Sequence, residues 1–380
     1  MDELTEQAEH DARLLGTRLG LTRRQLLAAT TGMAAATAVG LAGGHTHAHA
    51  APGGSGGNGV LVPPGKRGII LYTVRDAISR NPLTNPGLPS GFKQVLEELA
   101  RQGYKQIEFA GYNQNSNSEG GNLNNVEGAH LLRTWLDDNG LEAEGNHGSI
   151  PGSITDASLA SFDAACEIAN ILGFGHIGTG SDPTNSSYLA DWQAAADRWN
   201  ILGERAATHG LKLYTHNHDA AYSFLLDSGP LDGLGRPTRS SGLRRLEWFL
   251  QNTDPNYVYL EMDVYWAHVA QHRYQSYTAP DGTVVPDLFD PAGLVAEQTT
   301  RFPLFHAKDG AKNDSAAGYS IVPFGAGDID YTTFFQRIGA KGYHNAMYEQ
   351  DNASSVPMSS PTMSLENAAS SYQNLAALRG

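Results

Sequence analysis

The 380-residue chain has a single cysteine, Cys166, which excludes an intramolecular disulfide. It lies in a helical pattern, Phe162 to Ile168, and is expected as a buried structural thiol. Basic residues are also scarce, 26 Lys+Arg against 40 Asp+Glu, a net charge of −14. Such a surface repels phosphate backbones and argues against a nucleic-acid partner. Beyond the first fifty residues no apolar run is long enough to span a bilayer. No Gly-rich phosphate turn follows an early strand, which argues against an open doubly wound sheet. Without disulfides, the chain must be held by a large apolar core.

The N-terminal residues carry an address. Thr22-Arg23-Arg24-Gln25-Leu26-Leu27 is a twin-arginine pattern, followed by an Ala-rich apolar run to Ala42. Ala48-His49-Ala50 fits an A-x-A cleavage site. Residues 1–50 are therefore expected to be a twin-arginine signal peptide that directs export to the periplasm or beyond, with no stable membrane insertion after cleavage. Residues 51–66, Gly-rich up to Gly59, are expected as a flexible linker. Residues 67–380 then form one domain.

From Gly68 onward short apolar runs alternate with helical patterns. Strands are expected at 68–75, 105–110, 142–150, 176–179, 211–218, 258–266, 302–309 and 343–350. Amphipathic helices are expected at 92–101, 126–139, 158–172, 189–209, 241–251, 290–301, 331–342 and 363–378. Eight strands, each followed by a helix, predict the α/β class and a (β/α)8, or TIM, barrel.

Chemistry concentrates at the strand ends. Strand side chains alternate, so residues of like parity share a face. Tyr214, His216 and His218 align in the fifth strand, and Tyr259, Glu261, Asp263 and Tyr265 in the sixth. Leu304, His306 and Lys308 align in the seventh, and Met347, Glu349 and Asp351 in the eighth. An acid in an otherwise apolar strand must be paired, hydrogen-bonded or bound to a metal. Barrel enzymes place their chemistry at this face. Two histidines and two carboxylates, His216, Asp263, His306 and Glu349, suit a divalent ion such as Mn, Zn, Co or Fe. Glu349, Glu108, His147 and Lys308 are the acid–base candidates. Tyr72, Arg75, His218 and Trp266 are candidates for holding a substrate. The inserts 113–125 and 274–286 are expected to cover the mouth.

The chain resembles the xylose isomerase-like, or sugar phosphate isomerase/epimerase, superfamily. The resemblance rests on Leu71-Tyr72-Thr73-Val74-Arg75-Asp76, Gly103-Tyr104-Lys105-Gln106-Ile107-Glu108, His216-Asn217-His218-Asp219, Leu260-Glu261-Met262-Asp263-Val264-Tyr265-Trp266, Phe305-His306-Ala307-Lys308-Asp309, Gly325-Ala326-Gly327-Asp328-Ile329-Asp330 and Tyr348-Glu349-Gln350-Asp351. It implies a metal held by Glu, Asp, His and Glu from the fifth to the eighth strands. Asp263, His306 and Glu349 match the last three. The first position departs: His216-Asn217-His218 stands where many members have Glu-Asn-His. His216, with His218 as substitute, is the expected fourth ligand, and one glutamate of the usual two-glutamate proton shuttle is absent.

These readings predict a metal-dependent isomerase or epimerase of a sugar or keto-sugar, working by proton abstraction next to a carbonyl. The alternatives are an exported lyase or hydrolase of a keto-glycoside on the same site, and a non-catalytic sugar-binding barrel. An abasic-site endonuclease shares the barrel but is disfavoured by the acidic charge and the export signal. The expected partner is a small carbohydrate.

Overall fold

The sixth strand shows how the sequence builds the barrel. In Val258–Asp263, labelled β6 below, every residue is buried, including Glu261 and Asp263. This strand touches protein on both faces, as parallel strands covered by helices do. Seven others surround it: β1 Arg67–Ile70, β2 Gln106–Phe109, β3 Glu142–Asn146, β4 His176–Thr179, β5 Lys212–His216, β7 Leu304–Ala307 and β8 Asn345–Tyr348. The computed structural model describes residues 59–339, 343–355 and 358–380. The expected signal peptide and most of the Gly-rich tether lie outside them.

All eight strands are parallel, in the order β3-β2-β1-β8-β7-β6-β5-β4. The sheet nearly closes between β3 and β4, where His147 bridges Gly178 and the Gly148 amide donates to the Gly178 carbonyl at 3.0 Å. Inside the barrel, Tyr214, Tyr259, Leu304 and Met347 form a buried cluster of their own. Glycines make room for it. A Cβ on Gly178 would stand 2.4 Å from the Tyr214 ring, and one on Gly68 would stand 2.1 Å from the Met347 sulfur.

The described residues form ten α-helices. Gly91–Gln102 buries Phe92, Val95, Leu96 and Leu99 and stops at Gly103, whose φ of 112° favours glycine. Asp156–Leu172 starts from a capping box, Thr155 with Ser158, and buries Cys166. Among the described residues no helix is long and apolar enough to cross a membrane.

Several strands are shorter than expected, and the reasons are local. β1 ends at Ile70 and gives way to a 3-10 turn, Leu71–Val74. β3 ends at Asn146. β6 ends at Asp263 because the Asp263 side chain accepts the Trp266 amide and starts a helix, Val264–Arg273. Tyr265 and Trp266 are therefore helical, and Tyr265 does not share the strand's inner face. After β7, Asp309–Lys312 leaves the barrel in a hairpin with Tyr319–Val322. Two more hairpins, Ser228–Leu231 with Pro237–Arg239 and Ser276–Thr278 with Val284–Pro286, stand where loops were expected. The domain also begins before residue 67. Val60 bridges Arg379, and Leu61 and Val62 are buried, so this end of the expected linker packs on the domain.

Candidate metal centre

Strand register delivers the site. His216 lies opposite Glu261 across β5 and β6, and His306 opposite Asp263 across β6 and β7. Lys308 follows β7 and Glu349 follows β8. A register shift between Ile107 and Glu108 on β2 turns Glu108 into the same interior. All seven of these side chains are buried.

The ligand-type atoms of His216, Asp263, His306 and Glu349 lie within 4.8 Å of one another. His216 Nε2 is 3.7 Å from Asp263 Oδ2. His306 Nδ1 is 2.6 Å from Glu349 Oε2 and 4.0 Å from Asp263 Oδ2. Lys308 Nζ touches Asp263 Oδ2 at 2.6 Å, Glu349 Oε2 at 2.7 Å and Asp351 Oδ2 at 2.9 Å. Behind this group, His306 Nε2 meets Glu108 Oε2 at 2.9 Å and Glu261 Oε2 at 3.2 Å. His147 Nε2 meets Glu261 Oε2 at 2.8 Å and Glu108 Oε1 at 3.4 Å. The Tyr214 hydroxyl donates to Glu108 Oε1. His147, His216, Glu261 and His306 make a second four-residue group of the same compactness.

Charge explains the protonation states. Burial lifts the Asp263 carboxyl, against the pull of Lys308, to about 6. Burial would also lift Glu349, but the His306 imidazole and the Lys308 ammonium hold it well below the usual range. Burial would lower His306, but Glu261 and Glu349 raise it well above an ordinary histidine. His216 is pushed well below its ordinary value by burial and by the neighbouring His306. Burial would lower the Lys308 ammonium, but Asp263, Glu349 and Asp351 keep it charged.

Four carboxylates and three imidazoles in one buried cluster, with one lysine, form a donor set suited to a divalent cation. Glu261 Oε1 and His216 Nδ1, both buried in it, have no hydrogen-bond partner. Buried polar atoms rarely stay unsatisfied without a functional reason. The residues present fit a metal ion.

The remaining predicted residues are spread around the mouth. His218 and Trp266 are half-buried neighbours, ring centroids 5.5 Å apart, with Lys308 Nζ 5.6 Å from the Trp266 ring centroid. Tyr72 is 40% exposed, and the Arg75 guanidinium lies 3.9 Å over its ring. Both line a cavity of about 480 Å³ with Gly111, Asn113 and Ser354. Arg75 does not pair with Asp76. It donates to the Tyr72 carbonyl at 2.7 Å and the Asp351 carbonyl at 2.8 Å, tying the segment after β1 to the loop after β8. Sequence reasoning passed over Glu261 as a site residue, although it has the parity of Asp263. Its signal was the one that singled out Asp263, a carboxylate in an apolar strand. Tyr214 and Asp351 were likewise aligned but not chosen.

The xylose isomerase-like TIM barrel family matches residues 96–369, well over half the chain, and the chain belongs to that family. A sugar phosphate isomerase/epimerase from Parabacteroides distasonis superimposes with a TM-score of 0.57 at 22% identity, covering 82% of this chain and 94% of that one. A second from the same organism gives 0.56 at 17% identity, covering 83% and 100%. The probable 3-DHS dehydratase AsbF of Bacillus anthracis gives 0.54 at 15% identity, covering 81% and 97%. At these identities the likeness shows the shared barrel. No curated protein matches the chain.

Proposed function

We propose that this protein is a divalent-metal-dependent isomerase or epimerase that moves a proton next to the carbonyl of a sugar or keto-sugar. The observation that carries the reading is the convergence of His216, Asp263, His306 and Glu349 at four consecutive strand ends, with Lys308 on the same carboxylate oxygens. His216 Nε2, Asp263 Oδ2, His306 Nδ1 and Glu349 Oε2 would hold Mn, Zn, Co or Fe. His218 is then left to the substrate side with Trp266. A bound divalent ion supplies Lewis acidity to a carbonyl or hydroxyl oxygen.

The protein's own groups do the rest. Glu349, kept ionised by His306 and Lys308, is a base at the mouth. The Lys308 ammonium donates to an oxygen on which negative charge grows. Glu108 and His147 lie behind His306 and carry protons between the inner cluster and the open face. Tyr72 and Arg75 receive the far end of the substrate in their cavity. The twin-arginine pattern supports a location outside the cytoplasm and a substrate met there.

Lys308 favours a second reading, elimination from a keto-glycoside. An ammonium 2.7 Å from Glu349 sets an acid beside a base, the pair that a leaving oxygen requires. Two measurements decide. Elemental analysis of the mature protein should find about one ion per chain, lost in Asp263→Ala. Solvent deuterium should enter a keto-sugar in wild type and not in Glu349→Gln. Exchange without release of an aglycone supports isomerisation, and release supports elimination. No metal in wild type, even after incubation with these ions, overturns both and leaves the sugar-binding barrel.

A further inference from the structure

We infer that Glu261 is the carboxylate that fixes the ring orientation and tautomer of both metal-site histidines, a positioning residue beneath the site rather than a ligand in it. The inference rests on the metal reading above and adds the device that holds its imidazoles in place.

The geometry separates the two nitrogens of each ring. His216 turns Nε2 toward Asp263 and Nδ1 toward Glu261 Oε2, 3.6 Å away. His306 turns Nδ1 toward Glu349 and Nε2 toward Glu261 Oε2, 3.2 Å away. In both rings the nitrogen that faces Glu261 is the one left over from the upper group. A metal-bound imidazole usually gives its other N–H to a carboxylate, which sets the tautomer and strengthens the ligand. Here one carboxylate faces both rings, with Glu108 as a second acceptor for His306 at 2.9 Å.

Glu261 itself has little other reason to be where it is. It is fully buried in β6. Its Oε2 is in reach of three imidazoles, the third being His147 at 2.8 Å, and its Oε1 has no hydrogen-bond partner. His147 is its hydrogen-bonded partner, and the two metal-site rings stand beside the same oxygen. The competing assignment makes Glu261 a ligand, with His147, His216 and His306 around a second ion. That group shares His216 and His306 with the upper one, so both rings would have to bridge two ions.

The test uses the full mature chain, wild type, Glu261→Gln and Glu261→Leu, with Co²⁺ as the probe. Gln keeps the volume and an acceptor without the charge, and Leu removes both. Affinity comes from chelator competition and ligand geometry from the visible absorption of Co²⁺. Wild type should bind one ion. Glu261→Gln should bind about 10–100-fold more weakly, with a changed spectrum, and Glu261→Leu more weakly still. The metal-free Glu261→Gln protein should melt no lower than metal-free wild type, which a purely structural role would not allow. One tightly bound ion with an unaltered spectrum in all three proteins overturns the inference and leaves the metal reading standing. Two ions in wild type and one in Glu261→Gln overturn it in favour of a second centre. No binding by wild type overturns both.

Discussion

Replacing Lys308 by Met removes an ammonium in contact with three carboxylates. Nζ stands 2.6, 2.7 and 2.9 Å from Asp263, Glu349 and Asp351. Removing one partner of a buried ion pair typically costs about 3–5 kcal/mol, because the opposite charge stays buried without compensation. Three carboxylates push toward the upper end. Asp263 limits the loss, since burial has already raised its carboxyl to about 6 and it takes up a proton near neutral pH once the ammonium is gone. Asp351 limits it further, with 35% of its side chain open to water. The expected loss for metal-free protein is about 4 kcal/mol, or roughly 8 °C in Tm at about 2 °C per kcal/mol for a large domain. The assay is urea unfolding with EDTA at pH 7.5, then with Mn²⁺ or Zn²⁺. The ion should restore part of the loss, because it replaces positive charge on the same oxygens. In an Asp263→Asn background the same substitution should cost at least about 1 kcal/mol less. A loss below about 1 kcal/mol, or identical losses in the two backgrounds, would refute the electrostatic account.

Three further outcomes test the fold around the site. Burial lowers His344 to about 4, with its Nδ1 bonded to the Phe302 carbonyl, whereas an unfolded histidine titrates near 6.5. Its contribution is present above about 6.5 and is lost as pH falls toward 4, about 3 kcal/mol in all, and His344→Gln should remove that part of the acid sensitivity in urea titrations. Arg301 is buried and donates to the Val258 carbonyl, the Leu250 carbonyl and the Thr253 hydroxyl at 2.8, 3.0 and 2.8 Å. Arg301→Met should therefore cost about 3–5 kcal/mol by chemical denaturation, and a change within about 0.5 kcal/mol would contradict the assigned bonds. Burial pushes the Cys166 thiol up to about 12, so a disulfide reagent should leave the native protein unlabelled for hours and label it at once in urea.

Much of the barrel was legible because its signals are periodic. The alternation in β5 to β8 assigned His216, Asp263, His306 and Glu349 to one interior, and register then brought them together. The end of β6 was harder to see. Val258 to Ala270 is mostly apolar, and in such a run strand and helix cannot be told apart by periodicity. The boundary is set by the Asp263 side chain accepting the Trp266 amide, a capping contact that composition does not display. The hairpin 276–286 turns at Asp281-Gly282, a dipeptide that favours tight turns, yet its strands are only three residues long. The link from Arg75 to the Asp351 carbonyl joins residues 276 positions apart, and no local pattern announces it.

Asp263 answers to two demands with its two oxygens. Oδ1 accepts the Trp266 amide and starts a helix, while Oδ2 faces His216, His306 and Lys308. Asn would keep the cap and surrender the charge, and Glu would keep the charge and misplace the cap. At this position the inheritance of the fold and the inheritance of the chemistry can part company in one direction only. A descendant of this chain can abandon the chemistry and keep the barrel by a single conservative step. On the proposed metal reading, a chain that keeps the chemistry has no equally close alternative, so substitution to Asn at residue 263 would leave a folded protein without its metal centre.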